Sequence, residues 1–137
     1  MEIVAKGGNL VLGVGPTPEG LIQPEAVARL EAIGRWMRTN GQAIYNTVTT
    51  KNYHTGNLWF TASKDGRTLY ALYPSQPGNE APQTLSWTCN VPKGKVVLLG
   101  KNLKLKTSVQ GENVTITLPQ GSVKAGEPFA LRFATKK

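Results

Sequence analysis

The sequence predicts a mainly β protein, an antiparallel β-sandwich of about seven strands preceded by one strand–helix unit. Three observations lead to this prediction. From Thr47 onward, apolar and polar residues alternate with a period of two, as in strands that have one buried face. The 15 glycines and nine prolines divide the chain into short segments. Residues 24–40 instead follow the helical period of 3.6.

The first third of the chain has the pattern of an α/β unit. Asn9–Val14 is a nearly continuous apolar run between glycines, which predicts a strand buried on both faces of a parallel sheet. Pro24 suits the first turn of a helix, and Asn40-Gly41 suits its end. The apolar face of this helix comprises Ala26, Leu30, Ile33 and Met37. One helix cannot cover two faces, so we interpret residues 1–46 as the last unit of a larger α/β domain.

Residues 47–137 are predicted to form a separate β-sandwich domain. Asp65-Gly66 is a tight-turn signal between the first two predicted strands, and Gly111-Glu112 separates a later pair. The predicted strands are Leu58–Ser63, Thr68–Tyr73, Gln83–Thr88, Lys95–Leu99, Lys104–Val109, Asn113–Leu118 and Ala130–Thr135.

The chain is basic, with a formal net charge of +8 over 137 residues. Its lysines are spaced through an alternating pattern, which favours solvent-facing strand positions over a nucleic-acid surface. No apolar run reaches the ~20 residues that span a bilayer, so we expect no membrane partner. We recognise no targeting segment near Met1. Cys89, the single cysteine, cannot form an internal disulfide.

The acidic residues do not predict a catalytic pair. Glycoside hydrolysis needs two carboxyl groups about 5–10 Å apart. Glu25 lies in the first helical turn, and Asp65 and Glu112 lie in turns, so we assign no catalytic residue. His54 is the single histidine, and with one cysteine it cannot complete a zinc site. Gly13-Val14-Gly15 lacks the third glycine of a dinucleotide motif, so no cofactor is expected.

The aromatic residues give weak candidates for sugar contact. Tyr53, His54 and Trp59 flank the expected linker between the two parts, where we expect His54 to be a loop residue. Aromatic rings can stack on sugar rings, so these three are the candidate substrate-binding residues. Trp36 and Trp87 lie within a predicted helix and strand, where core packing is expected.

The segment Lys6 to Gly20 resembles the end of the catalytic domain of family 29 α-L-fucosidases. That family typically has Gly-Asn-Leu-Leu-Leu-Asn-(Val/Ile)-Gly-Pro-x-x-(Asp/Glu)-Gly, and Gly13 here stands in place of its Asn. The similarity continues through Leu30–Trp36 and Asn40–Tyr45. Phe60–Gly66 and Leu69–Leu72 resemble the first hairpin of the β-sandwich that follows the barrel.

This resemblance implies the C-terminal fragment of a retaining exo-glycosidase with a (β/α)8-like barrel. The catalytic acids and the fucose-gripping residues of the family lie upstream of the matched segment, so none carries over. The implied substrate is a fucosylated glycan, and the implied partner is the parent catalytic domain. The parent would be periplasmic, extracellular or lysosomal. By itself, the chain is expected to be inactive, with a supporting role for the sandwich.

Two other function classes stay open from the residues alone. An independent carbohydrate-binding module would expose Trp59 or Trp87. A basic polyanion- or nucleic-acid-binding domain would bind with steep salt dependence. In addition, residues 10–14 would lack their barrel neighbours in a separate fragment, and an exposed apolar strand of this kind promotes self-association.

Overall fold

A computed structural model describes residues 1–76 and 78–135. In these two ranges, two α-helices and a short 3₁₀ turn precede eight strands. The helices are α1 (Glu2–Ala5) and α2 (Pro24–Asn40), and the 3₁₀ turn covers Gly41–Ala43. The strands are β1 (Thr47–Thr55), β2 (Leu58–Ser63), β3 (Thr68–Tyr73), β4 (Thr84–Thr88), β5 (Val96–Leu98), β6 (Leu103–Gln110), β7 (Asn113–Thr117) and β8 (Phe129–Ala134). No helix of these residues is long and apolar enough to cross a membrane.

The strands form one antiparallel sheet in the order β1-β2-β3-β8-β5-β6-β7-β4. Strand β6 joins its two halves. Its first residues, 103–105, pair with β5, whereas residues 106–110 pair with β7. Because one strand changes partner along its length, the sheet can turn there and fold back on itself.

The core lies between the two halves of this folded sheet. Trp87 on β4 stacks on Phe133 of β8, with ring centroids 5.8 Å apart, and it packs 5.9 Å from Phe60 of β2. These strands are distant in the sheet order, so the contact closes the two halves into a sandwich. The amide of Asn90 also donates a 2.7 Å hydrogen bond to the carbonyl oxygen of Asn52, on edge strand β1. The prediction of a mainly β, antiparallel fold is confirmed.

The seven predicted strands are observed with bounds within one residue, but β1 was missed. The sequence predicts a linker in this region and a loop position for His54. Both predictions are wrong, because His54 lies within β1. Strand β1 is mostly solvent-exposed on both faces, so it lacks the apolar alternation that reveals a strand. Pairing of its backbone with β2, from Thr47 opposite Ser63 to Thr55 opposite Leu58, defines it instead.

The strand predicted at Asn9–Val14 is not formed, so the prediction of a strand–helix unit is wrong in its strand. Leu10 is 64% exposed and Val11 is 91% exposed. A strand buried on both faces needs neighbouring parallel strands, which the described residues do not provide. The backbone nearby forms an isolated antiparallel bridge between Pro16 and Ile22.

Helix α2 has its predicted bounds, and it is attached to the sandwich near its C-terminal end. The indole nitrogen of Trp36 donates a 2.8 Å hydrogen bond to the carbonyl oxygen of Pro128, just before β8. Trp36 also packs beside a buried cluster with Tyr70 and Leu72. Toward the N-terminal end, the apolar face is exposed, with Leu30 at 36% and Ile33 at 49%. We call residues 10–33 the exposed apolar segment; its large apolar residues are Leu10, Val11, Leu12, Val14, Leu21, Ile22, Val27, Leu30 and Ile33.

Candidate functional site

The three aromatic candidates from the sequence lie together at the end of the β1–β2 hairpin. The rings of His54 and Trp59 have centroids 4.0 Å apart and planes inclined at 32°. The rings of Tyr53 and Trp59 are stacked, with centroids 6.4 Å apart and planes within 18°. We call Tyr53, His54 and Trp59 the aromatic cluster. Trp59 is its central member.

The register of the hairpin explains why these side chains meet. His54 lies directly opposite Trp59 in the antiparallel ladder, where facing side chains are in contact. The turn between them includes Gly56, whose φ of 56° suits a residue without a Cβ. The register of β1 shifts between Thr49 and His54, so the strand is irregular next to the cluster.

Helix α1 adds a charged pair to the aromatic cluster. The ammonium nitrogen of Lys6 lies 5.5 Å from the centroid of the Trp59 ring, within the range of a cation–π contact. The same ammonium group donates a 2.5 Å hydrogen bond to the Glu2 carboxylate. This hydrogen bond lowers the pKa of Glu2 and raises the pKa of Lys6. Because Thr49 donates a hydrogen bond to the Ala5 carbonyl oxygen, at 2.7 Å, α1 is held against β1.

The exposed part of the cluster is mainly Tyr53 and His54. Trp59 is half-buried and packs beside the cluster of buried residues that includes Ala43 and Leu72. Tyr53 is 39% exposed, which leaves part of its ring open to solvent. The arrangement can therefore stack on a small apolar surface such as one face of a sugar. Trp59 chiefly supports the other two rings.

The carboxylate of Glu2, near the cluster through its contact with Lys6, is already paired with that lysine. Hydrolysis of a glycoside by the usual route needs two carboxyl groups, one of them protonated. The lowered pKa of Glu2 favours its ionised form, which cannot donate a proton. Within residues 1–76 and 78–135, no group of three or more His, Cys, Asp or Glu residues could hold a metal ion.

The other two tryptophans have packing roles in the structure. Trp87 is 2% exposed and lies in the sandwich core, so it cannot form an exposed sugar platform. Trp36 is half-buried, and its indole N–H donates a hydrogen bond to the carbonyl oxygen of Pro128. Both agree with the packing roles expected from the sequence.

The sequence interpretation missed Glu2 and Lys6 as neighbours of the aromatic cluster. The spacing of these two residues is a helical i, i+4 pair, which is a recognisable signal for α1. Nothing in the local pattern shows that this turn of helix packs against β1 and β2. That contact depends on tertiary structure.

Comparisons with known proteins identify the relatives of this chain. A family model described as Alpha-L-fucosidase matches residues 1–42. An α-L-fucosidase of Branchiostoma floridae is 34% identical over 125 residues, covering 88% of this chain and 27% of that protein. The tissue α-L-fucosidase of Homo sapiens is 35% identical over 129 residues, covering 88% of this chain and 26% of that protein.

The chain belongs to the α-L-fucosidase family. Its fold agrees with this assignment, since a Thermotoga maritima α-fucosidase solved with a mechanism-based inhibitor superposes with a TM-score of 0.79. That match covers 98% of this chain and 32% of the solved one, at 26% identity. This member of the α-L-fucosidase family spans about a quarter of the length of the curated relatives it matches.

Proposed function

We propose that the chain is the C-terminal part of an α-L-fucosidase that hydrolyses terminal α-L-fucose from glycoconjugates. In this proposal, residues 1–46 complete the catalytic barrel and residues 47–137 form a sandwich that supports it. The observation that carries the proposal is the similarity to α-L-fucosidases over 88% of this chain but only about a quarter of their length. In this proposal, the catalytic carboxyl groups lie in the upstream part of the parent, so the chain by itself is inactive.

The exposed apolar segment supports this division of roles. Val11 is 91% exposed and Leu21 is 67% exposed, although apolar side chains gain free energy when they leave water. Their burial would require a partner that the described residues lack. The parent catalytic domain is the partner that we propose. The sandwich, in contrast, has a complete apolar core of its own.

The test is hydrolysis of 4-nitrophenyl α-L-fucoside by the purified chain and by a longer chain that includes the upstream sequence in the same reading frame. We expect turnover only from the longer chain. Turnover by residues 1–137 that survives repurification would contradict the proposal. The variant Glu2→Gln would then show whether the carboxylate beside Trp59 is responsible.

A carbohydrate-binding role for the aromatic cluster is the second candidate, favoured by the contact among Tyr53, His54 and Trp59. Titration with methyl α-L-fucoside, followed by NMR, tests it. We expect Tyr53→Ala to abolish the chemical-shift changes. Tyr45→Ala is the matched control, because Tyr45 is 63% exposed and is not one of the aromatic cluster. Absence of any shift in the unmodified chain would exclude this role for fucose.

Without its proposed partner, the chain should self-associate through the exposed apolar segment. Leu12 is 56% exposed and Val14 is 41% exposed. In a sedimentation-velocity dilution series, we expect oligomers that dissociate on dilution and that are lost in Leu12→Asp/Val14→Asp. Val109→Asp serves as the control, since Val109 is 44% exposed on β6. A monomer at every concentration would contradict self-association.

A further inference from the structure

One outer face of the sandwich carries a band of positive charge. Val97 of β5 lies opposite Lys104 of β6 on one side and opposite Arg132 of β8 on the other. Paired residues in a sheet share a face, so these two cations flank Val97. Because side chains alternate along extended chain, Lys95, two residues before Val97, and Lys106, two residues after Lys104, lie on the same face. The neighbouring residues Val96 and Leu98 are buried, so this face is the outer one.

No carboxylate of these strands balances the charge. Strands β5, β6 and β8 contain no Asp or Glu. Among the residues that the structure describes, the basic members of ion pairs are Lys6, Arg29, Arg35, Arg67 and Lys124, none of which belongs to this band. Asp65 is close enough to influence Tyr70, yet its carboxylate accepts hydrogen bonds from Ser63 and Arg67. We call Lys95, Lys104, Lys106 and Arg132 the cationic face.

A groove of about 300 Å³ lies at one side of the cationic face. Its lining includes Lys95, Arg132, the hydroxyl residues Thr68 and Tyr70, and the apolar side chain of Val97. This volume is at the lower end of the range for small-molecule sites. A guanidinium nitrogen of Arg132 lies 3.5 Å from the side-chain oxygen of Gln42. One contact of this kind leaves other donors of the guanidinium group free for a ligand.

We propose that the cationic face binds an acidic glycan, with one sulfate or carboxylate group placed in the groove between Lys95 and Arg132. Clusters of lysine and arginine attract such polyanions, and the guanidinium group matches their paired oxygens. Binding of single-stranded nucleic acid would instead use exposed aromatic rings for base stacking. The aromatic residues that line the groove, Tyr70 and Phe133, are only 8% and 2% exposed. This proposal does not depend on fucose hydrolysis by the parent.

Isothermal titration calorimetry with a heparin-derived tetrasaccharide tests the proposal. Cellotetraose is the neutral comparison, and an eight-nucleotide oligothymidylate is the nucleic-acid comparison. We expect binding of the sulfated tetrasaccharide that weakens about tenfold or more between ~50 and ~200 mM NaCl, because counterions are released on binding. Cellotetraose should not bind, and the oligonucleotide should bind more weakly than the tetrasaccharide.

Two double variants with the same change in net charge separate a site from general attraction. Lys95→Gln/Arg132→Gln removes the two cations of the groove. Each exposed ion pair with the ligand contributes up to about fivefold in affinity, so the double variant should weaken binding about tenfold. Lys51→Gln/Lys64→Gln removes two exposed lysines on β1 and the β2–β3 turn, and it should leave the affinity within about twofold of the unmodified chain. Equal weakening by both variants, tighter binding of the oligonucleotide, or no binding of the tetrasaccharide would overturn the proposal.

Discussion

The sandwich and residues 1–46 both have regular apolar patterns in their sequence. In the sandwich these apolar side chains are buried, whereas in residues 1–46 many are exposed. In the sandwich, Phe60, Leu131 and Ile116 are completely buried between the halves of the folded sheet. In residues 1–46, Leu10, Val11 and Ile33 are exposed although their pattern predicts burial. The periodicity of a sequence therefore shows which side chains form the apolar face of a helix or strand. It does not report whether the partner surface belongs to the same chain.

The largest contrast should appear when one apolar side chain is truncated in each part. Phe60→Ala should lower the free energy of unfolding by about 3–5 kcal/mol, because it leaves a cavity beside Trp87. Leu12→Ala should lower it by less than about 0.5 kcal/mol, because Leu12 is 56% exposed. Urea unfolding followed by tryptophan fluorescence measures both. Similar costs for the two variants would contradict the contrast.

A smaller effect should appear where the two parts are in contact. A Cβ on Gly100 would lie 2.3 Å from Cγ2 of Thr39 in α2, and the φ of Gly100 is +80°. Gly100→Ala should therefore lower the free energy of unfolding by about 3 kcal/mol, because it adds backbone strain and a steric clash with Thr39. Gly121→Ala is the control, because its φ is +71° and a Cβ there meets nothing within 4 Å.

The Gly121→Ala control should lower the free energy of unfolding by about 1 kcal/mol, from backbone strain alone. Adding Thr39→Ser to Gly100→Ala removes the methyl group and should recover part of the difference in unfolding free energy. If the two glycine variants cost the same, the helix is not held against this turn in solution.

The hydrogen bond between α2 and the segment before β8 should contribute less. Trp36→Phe removes the indole N–H and leaves the Pro128 carbonyl without this donor. We expect a loss of about 1–2 kcal/mol in unfolding free energy and faster amide exchange in the last turns of α2. Tyr45→Phe is the control, since Tyr45 is 63% exposed. Unchanged exchange in α2 would show that other contacts hold the helix.

The smallest effect concerns the pair beside the aromatic cluster. The hydrogen bond from Lys6 lowers the pKa of Glu2 in the folded chain, so its contribution to stability is complete above the ordinary pKa of a glutamate. This contribution is lost as the pH falls through the lower, folded value. An NMR titration of the Glu2 carboxyl carbon should give a midpoint below the usual value. Lys6→Gln should raise this midpoint, and an unchanged midpoint would mean that the pair does not persist in solution.

Much of the fold was predictable because the sandwich encloses its own partner surfaces. Tight turns such as Asp65-Gly66 and clean alternation along β7 define strands without reference to distant residues. Strand β1 was not predictable in this way, because neither of its faces is well buried and its order comes from backbone pairing. Asn9–Val14 has a good local pattern, but the described part of the chain does not provide the neighbouring strands that this pattern requires.

The candidate site was predictable in its aromatic members and not in its charged ones. Tyr53, His54 and Trp59 are close in sequence, so a hairpin brings them together. Lys6 reaches Trp59 only because α1 packs against β1 and β2. Likewise, the spacing of Lys104 and Lys106 indicated a solvated strand face. The cross-strand register was needed to place Arg132 beside that face.

The position of β8 has a consequence for how the chain is made. It lies between β3 and β5, although it follows the other seven described strands in the chain. Until β8 (Phe129–Ala134) leaves the ribosome, β3 can pair only with β2. Over the same period β5 can pair only with β6. Completion of the sheet thus depends on pairing between residues far apart in the chain, which slows folding. A nascent chain that stops before Phe129 has two unpaired inner edges and is a ready substrate for chaperones or for aggregation.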